Sequence, residues 1–274
     1  MDVKRIGLIA GYGQFPILFA RAARQKGLQV VAVGYQKETD PALAKDVDHL
    51  AWLYLGQIKK MITFFRRHDV QDAVMLGGIT KTRMFTNVRP DAKAISLMMR
   101  MRHTHDDAVL RAFADILEQE GIRIHSSTVL LPELLAKHGV WTSRHPSHNE
   151  IEDLRLGWRI AKEIGRLDIG QCVVVAGGTI LAVEAIEGTD ATITRGGALG
   201  NGQGVVVKVC KPIQDTRFDV PSVGLQTIET MQTAGVKTLA VEAGKTVVFD
   251  QPAMVTMADR CGITVVAFSD DEMR

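Results

Sequence analysis

The chain has 274 residues, with 33 basic against 31 acidic side chains and a net charge of +2. That length exceeds a usual domain of roughly 100 to 200 residues and predicts two domains, while the charge balance leaves no global field to select nucleic acid or an anionic membrane. No stretch reaches the roughly 18 uninterrupted apolar residues of a spanning helix, no cleavable leader pattern opens the chain, and the isolated Cys172, Cys210 and Cys261 predict a reducing compartment without a zinc knuckle.

Residues 5–10 read as an apolar strand, Gly11-Tyr12-Gly13 as a turn, 15–26 as a helix stopped by Gly27, and 28–33 as a second strand. Buried strand, glycine turn, helix and buried strand is the βαβ pattern of a parallel sheet. It recurs with a helix over 57–68, a strand over 72–76 ending in Gly77-Gly78, a helix over 106–120 closed by Gly121, and a strand over 122–125. The segment 137–149, KHGVWTSRHPSHN, is polar and shows no period, which predicts a linker between a domain over 1–136 and a second over 150–274. Beyond it, a helix is expected over 151–164, β-rich pieces over 172–176, 180–186 and 205–209, a helix over 222–234, a strand over 238–241, a helix over 252–261 and a last strand over 263–268. The fold class is α/β: an N-terminal Rossmann-like parallel-sheet domain plus a C-terminal mixed α/β domain.

Glycine after a buried strand lets backbone amides approach a phosphate, because no Cβ blocks the way and the next helix offers free N–H groups. Gly11-Tyr12-Gly13 has that placement, with a purely structural tight turn as the alternative. The dinucleotide fingerprint needs a third glycine, but Gln14, Phe15 and Pro16 follow and no acidic residue clearly ends the second strand, so NAD is disfavoured. Gly77-Gly78-Ile79-Thr80-Lys81 ends another strand of the same half, where ligands of open parallel sheets lie. His103-Thr104-His105-Asp106-Asp107 crowds imidazoles and carboxylates without a zinc spacing; Asp106 either caps the next helix or touches ligand. His145 and His148 read as solvated junction residues.

The second half alternates carboxylates and cations: Glu184, Glu187, Gly188-Thr189-Asp190, Arg195-Gly196-Gly197, Lys208, Lys211, Asp215, Arg217 and Asp219. Hard oxygen ligands of this kind suit Mg²⁺ sharing its shell with substrate phosphate, and the cations would balance that phosphate. Exposed salt bridges are the alternative, although Gly188-Thr189-Asp190 and Arg195-Gly196-Gly197 are expected to be constrained loops.

IGLIAGYGQFP at 6–16, GGITK at 77–81, DDAVLRA at 106–112, VEAIEGTDATITRGG at 183–197 and KPIQDTRFDVPSVG at 211–224 resemble, in order and spacing, the UDP-2,3-diacylglucosamine pyrophosphatase LpxI family. The resemblance spans nearly the whole chain. It implies a cytoplasmic, homodimeric, Mg²⁺-assisted enzyme of lipid A biosynthesis that hydrolyses UDP-2,3-diacylglucosamine to UMP and 2,3-diacylglucosamine 1-phosphate, lipid X, by water attack on the sugar-side phosphorus. It places the nucleotide on the N-terminal domain, with Gly11, Gly13, Gly77 and Gly78 on the nucleotide-side motifs, and the acylated sugar phosphate on the C-terminal domain; Tyr12, Ile79, Lys81, Asp106, Asp107 and Thr189 are further substrate-binding candidates. Catalysis falls to Asp190, Lys208, Asp215, Arg217 and Asp219: one or more of the three aspartates holding Mg²⁺, a carboxylate orienting the water, Lys208 and Arg217 clamping phosphate oxygens. Leu225, Ile228 and Met231 would line an acyl trough or belong to the core, and a lipid-linked substrate makes peripheral membrane contact an expectation. Rival readings are an ATP-dependent ligase or kinase, marked by ADP release, and a nucleotide-sugar sensor without turnover.

Overall fold

The computed structural model describes residues 4–80, 88–100 and 106–273. The chain divides into two compact units, Met1–Pro132 with Asp215–Asp219, and Glu133–Gln214 with Val220–Arg274.

The first unit contains β1 (Arg5–Ala10), α1 (Phe15–Gln25), β2 (Gln29–Tyr35), β3 (His49–Leu53), α2 (Ile58–Arg67), β4 (Asp72–Leu76), α3 (Ala92–Arg100), α4 (Asp106–Gln119) and β5 (Arg123–His125). The five strands form a parallel sheet in the order β3-β2-β1-β4-β5. This is the Rossmann-like arrangement, with its reversal of strand order between β1 and β4. β1 and β2 are buried on both faces, as a sheet covered by helices on each side requires. On one face Ile9, Val31 and Val33 meet Ile58, Met61, Ile62 and Phe65 of α2, whose spacing of three and four residues makes one apolar stripe. α1 buries Phe19, Ala20 and Ala23 and packs on β1 and β2. Fully enclosed side chains such as Phe19 and Phe65 each contribute about 2 to 3 kcal/mol of transfer free energy. β3 and α3 carry no element in the sequence-based expectation: β3 is a half-exposed strand of HLAWL, so its periodicity is weak.

The second unit contains β6 (Gly139–Val140), α5 (His148–Arg166), β7 (Cys172–Ala176), β8 (Thr179–Val183), α6 (Thr189–Leu199), β9 (Val205–Lys208), β10 (Ser222–Val223), α7 (Leu225–Ala234), β11 (Thr238–Glu242), β12 (Val247–Val248), α8 (Gln251–Arg260), β13 (Thr264–Phe268) and α9 (Asp270–Met273). Six strands form a mixed sheet in the order β6-β13-β11-β9-β7-β8, parallel through β13, β11 and β9 and antiparallel at both ends. α6, α7 and α8 cover one face, burying Ile193, Ile228, Met231 and Met254 over Val174, Val206 and Leu239. α5 covers the other through Leu154, Trp158 and Ala161. α5 begins at a reciprocal cap: Ser147 accepts from the Glu150 N–H at 3.3 Å and its own N–H donates to Glu150 at 2.8 Å.

Two features differ from expectation. Residues 137–149 are part of the second unit, where Gly139–Val140 pairs with β13 and Trp141 N–H donates to Val265 at 2.9 Å. Neither expected loop of this region is a loop: Gly188 is the N-cap of α6, Thr189 and Asp190 are its first turn, and Arg195-Gly196-Gly197 lies in its interior. A Cβ on Gly196 would lie 2.5 Å from that of Val174, and one on Gly197 would lie 2.4 Å from the Ala234 carbonyl, so these glycines let α6 settle onto β7 and α7.

Candidate active site

Ligands of open α/β sheets bind outside the carboxyl ends of the strands where strand order reverses. In the first unit that point lies between Gly11-Tyr12-Gly13, after β1, and Gly77-Gly78, after β4. The two loops are stitched together: Gly11 N–H donates to Leu76 at 2.7 Å, Tyr12 N–H to Gly78 at 2.8 Å, and Gly78 N–H back to Tyr12 at 3.2 Å. A Cβ on Gly11 would sit 2.2 Å from the Gly78 carbonyl oxygen, and one on Gly77, at φ +83°, 2.4 Å from that of Tyr12. Both glycines are therefore needed by the backbone of the opposite loop. Gly13 differs, at φ +98° with nothing within 4 Å of its added Cβ. It opens onto the N-terminus of α1, which has no side-chain cap and no acidic residue in its first turn. Its partial positive charge is left for an anion. Tyr12 is half exposed beside it.

A third loop joins these two. Glu38, just past β2 and 7% exposed, accepts at one carboxylate oxygen from the Thr80 N–H (3.2 Å) and hydroxyl (2.9 Å). Thr39 accepts from the Tyr35 N–H at 2.8 Å and donates to the Ala10 carbonyl at 2.5 Å. Sequence reasoning missed Glu38, because it lies three residues beyond the strand end instead of on it. Its signal is an acid shortly after a buried strand.

Residues 215–219 bring Asp215, Arg217 and Asp219 into the first unit. Thr216 accepts from the Ser127 N–H at 3.2 Å, and Phe218 packs against the core beneath α2 and α4. Arg217 grips both Asp215 oxygens, its Nη2 at 2.7 Å, and reaches Glu118 of α4 at 3.1 Å. The Arg217 guanidinium holds the Asp215 carboxyl below the usual range, and the carboxylate raises the guanidinium pKa in return. Arg217 and Asp215 are thus each other's partners. Asp219 closes the same turn, its N–H donating to Asp215 at 3.3 Å.

In the second unit the carboxyl ends of β9, β11 and β13 gather a different set. Lys208, the last residue of β9 and 8% exposed, donates to the Ser222 carbonyl at 2.8 Å. Thr189 donates from the first turn of α6 to Glu184 at 2.8 Å, and the other Glu184 oxygen accepts from Gln171 N–H at 2.9 Å. Asp190 is exposed in that same first turn, where a carboxylate complements the helix dipole. Arg195 is taken up by Glu187 at 2.6 Å and the Val183 carbonyl at 2.9 Å.

Beside them lies a buried ion cluster. Glu242, 1% exposed at the end of β11, meets Lys162 at 2.6 Å, Lys245 at 2.8 Å and Cys210 N–H at 2.9 Å. Sequence reasoning did not single these out, because Glu242 and Lys162 lie far apart in the chain and meet only through the sheet.

Lys81 and the 103–105 histidine segment lie outside the described residues; Asp106 and Asp107 begin α4, and Ile79 follows Gly78 in its loop. Ile228 and Met231 are fully buried core, not trough, because the stripe they form faces the sheet; Leu225 alone borders a groove of about 680 Å³ between α7 and α8. Among the described residues no group of three or more His, Cys, Asp or Glu is placed to hold a metal ion. Both Asp215 oxygens are engaged by Arg217.

The fold and these loops define a two-unit α/β protein whose first unit has a Rossmann-like switch-point site. Residues 5–134 match the family model described as the LpxI N-terminal domain, and residues 137–266 the LpxI C-terminal domain. A Caulobacter vibrioides protein named UDP-2,3-diacylglucosamine pyrophosphatase LpxI is 32% identical over 281 residues, covering 98% of this chain and 99% of that one. The chain belongs to the LpxI family. Among solved structures, the biotin carboxylase domain of Hydrogenobacter thermophilus 2-oxoglutarate carboxylase is 16% identical over 64% of this chain and 35% of its own, at a TM-score of 0.28. Phosphoribosylglycinamide synthetase from Anaerococcus prevotii is 13% identical over 68% and 40%, also at 0.28. Likeness that low carries no weight here.

Proposed function

We propose that this chain hydrolyses the pyrophosphate bond of UDP-2,3-diacylglucosamine to UMP and lipid X. The observation that carries the reading is the alignment, over nearly the full length of both chains, with the Caulobacter protein of that name. Water oxygen bonds to the sugar-side phosphorus and the bridging oxygen leaves with UMP. Both products are phosphates, so no covalent enzyme intermediate is needed, and positioning and charge stabilisation supply the rate.

The first unit takes the uridine phosphate, with Gly13 and the α1 N-terminus receiving its charge while Gly11, Gly77 and Gly78 hold the loops in shape. Asp219 is the carboxylate assigned to the attacking water. Asp215 and Arg217 act on it through the backbone, since their mutual ion pair shapes the turn that Asp219 closes. Lys208 and Thr189 of the second unit are assigned to the acylated sugar phosphate. Magnesium belongs to the reading as a requirement, to offset phosphate charge; with Asp215 committed to Arg217, no step is assigned to the ion. The same reading sets the reaction in the cytoplasm, within lipid A biosynthesis, in a homodimer.

The test is incubation with UDP-2,3-diacylglucosamine and Mg²⁺ in ¹⁸O-labelled water. Label in lipid X and none in UMP is expected; label in UMP, or ADP formed from added ATP, would overturn the reading. Excess EDTA is expected to abolish turnover. Asp219→Ala should lower kcat about a hundredfold, the scale of losing an acid, base or metal ligand, with an unchanged melting curve.

A further inference from the structure

Four large aliphatic side chains stand out of the second unit at one pole: Ile186 is 82% exposed, Leu167 54%, Ile169 48% and Ile213 43%. Ala185 and Pro212 are exposed beside them. Burying such groups elsewhere in the chain is the rule, and a contiguous exposed apolar patch marks an interaction surface. Contiguity follows from the backbone. The 167–170 loop meets the loop after β8 where Gln171 N–H donates to Glu184 and a Cβ on Gly170 would strike the Glu184 carbonyl at 2.1 Å. On its other side it meets the loop after β9, where Lys211 pairs with Asp168 at 2.7 Å and Gly165 touches Lys211 and Pro212.

We propose that this three-loop cluster is a membrane-docking surface, whose apolar tips enter the interfacial layer of a lipid bilayer and hold the enzyme where a diacylated substrate resides. The proposal rests on the substrate reading above. Register supports it: Cys172 pairs with Lys208 and Thr189 bonds to Glu184, so the tips fringe the same end of the sheet as the residues assigned to the sugar phosphate.

Two further observations select a bilayer over a protein partner. Most charged residues in and beside these loops are paired, Arg166 with Glu163, Lys211 with Asp168 and Arg195 with Glu187, while Glu184 is buried and accepts from Thr189 and Gln171, which leaves little net charge at the surface. Several loop amides are already bonded within or beside the loops: Ile169 N–H to Ile164, Ala185 N–H to Glu187, Lys211 N–H to the Gln214 side chain and Gln214 N–H to Lys211. Irregular tips with satisfied amides lose little on leaving water, and a bilayer asks for no shape complementarity, whereas a protein interface does. Interfacial binding scales with buried apolar area plus attraction to anionic lipid, and with so little net charge at these tips the apolar part dominates.

Flotation of the full chain with phosphatidylcholine vesicles, and with the same vesicles containing phosphatidylglycerol, tests the idea. Partition is expected to be similar in both and insensitive to salt, and Ile186→Asp and Leu167→Asp should each weaken it about tenfold. Both positions are solvent-exposed, so unchanged melting curves are expected. Turnover of substrate dispersed in detergent should stay at the unsubstituted level in both variants and fall only for substrate in vesicles. Absence of partition, or partition that the variants leave intact, would overturn the proposal. So would partition that needs phosphatidylglycerol and vanishes with salt, or light scattering that shows the variants losing a dimer while still floating with vesicles. A chain that binds vesicles through Ile186 yet hydrolyses no UDP-2,3-diacylglucosamine would instead overturn the substrate reading and leave the docking surface standing.

Discussion

Gly77-Gly78 in the first unit and Gly196-Gly197 in the second are both adjacent glycines in a polar setting, yet one pair ends a strand at the switch point and the other lies inside a helix. At the first, the neighbour met at close range is the loop after β1, through Gly11 and Tyr12; at the second, it is a core valine and the next helix. A glycine pair signals close approach in either case. What approaches is set by the tertiary neighbour.

The sharpest way to break this contrast is Gly11→Ala. Its Cβ would collide with the Gly78 carbonyl at 2.2 Å, so the two loops must part and their three cross-loop hydrogen bonds weaken. A loss of about 3 kcal/mol in urea unfolding is expected, with KM for the nucleotide sugar rising alongside. Unaltered KM would place the nucleotide away from the switch point. Gly197→Ala is the matched change in the second unit. Alanine is the better helix former by about 1 kcal/mol, but the Ala234 carbonyl is backbone of α7 and cannot swing aside. The clash should win, with a net loss of about 2 kcal/mol and unchanged KM in the molecules that remain folded. A more stable variant would show that the helices are not packed this closely.

Gly13→Ala separates strain from binding. Nothing crowds the added methyl, so only its φ of +98° costs, about 1 kcal/mol. If phosphate rests against the α1 N-terminus, KM should rise more than that small stability loss accounts for; a stability change alone would return Gly13 to a structural turn. The smallest effect belongs to the second unit only. The hydroxyl of Ser269, its N–H and His138 together hold the Glu272 carboxyl down to about 2 from 4.5. A depressed carboxyl stabilises the fold above its unfolded pKa, and that support is lost as pH falls from about 4.5 towards 2. The side chain is 43% exposed, so screening keeps the effect small. Thermal melts of Glu272→Gln should flatten the acid limb slightly; an identical limb would mean the bonds from Ser269 and His138 to this carboxylate contribute nothing.

Much of the fold was legible because its elements are local. Strands β4 and β7 fall at the expected residues, and α1, α2 and α5 begin or end within a few residues of expectation, since apolar spacing and glycine stops act over one or two turns. β3 was not, because half its side chains face solvent. At the site, the glycines after β1 and β4 could be found by their place after buried strands. Glu38 could not, and neither could the contact of Arg217 with Glu118 or the cluster around Glu242, because each depends on which distant group meets a charge.

The order of residues by itself determined that this is an α/β chain in two parts, with a parallel, glycine-linked sheet first, because burial on one or both faces writes a period into the sequence. It also carried family membership, through strings of residues in order. Only the tertiary structure decided that Asp215–Asp219 belongs to the first unit, that Arg195-Gly196-Gly197 is helix and that Ile228 and Met231 are core. Those outcomes turn on what lies across a few ångströms of space: a carbonyl, a valine methyl or a guanidinium contributed from a distant part of the chain, about which local periodicity carries no information.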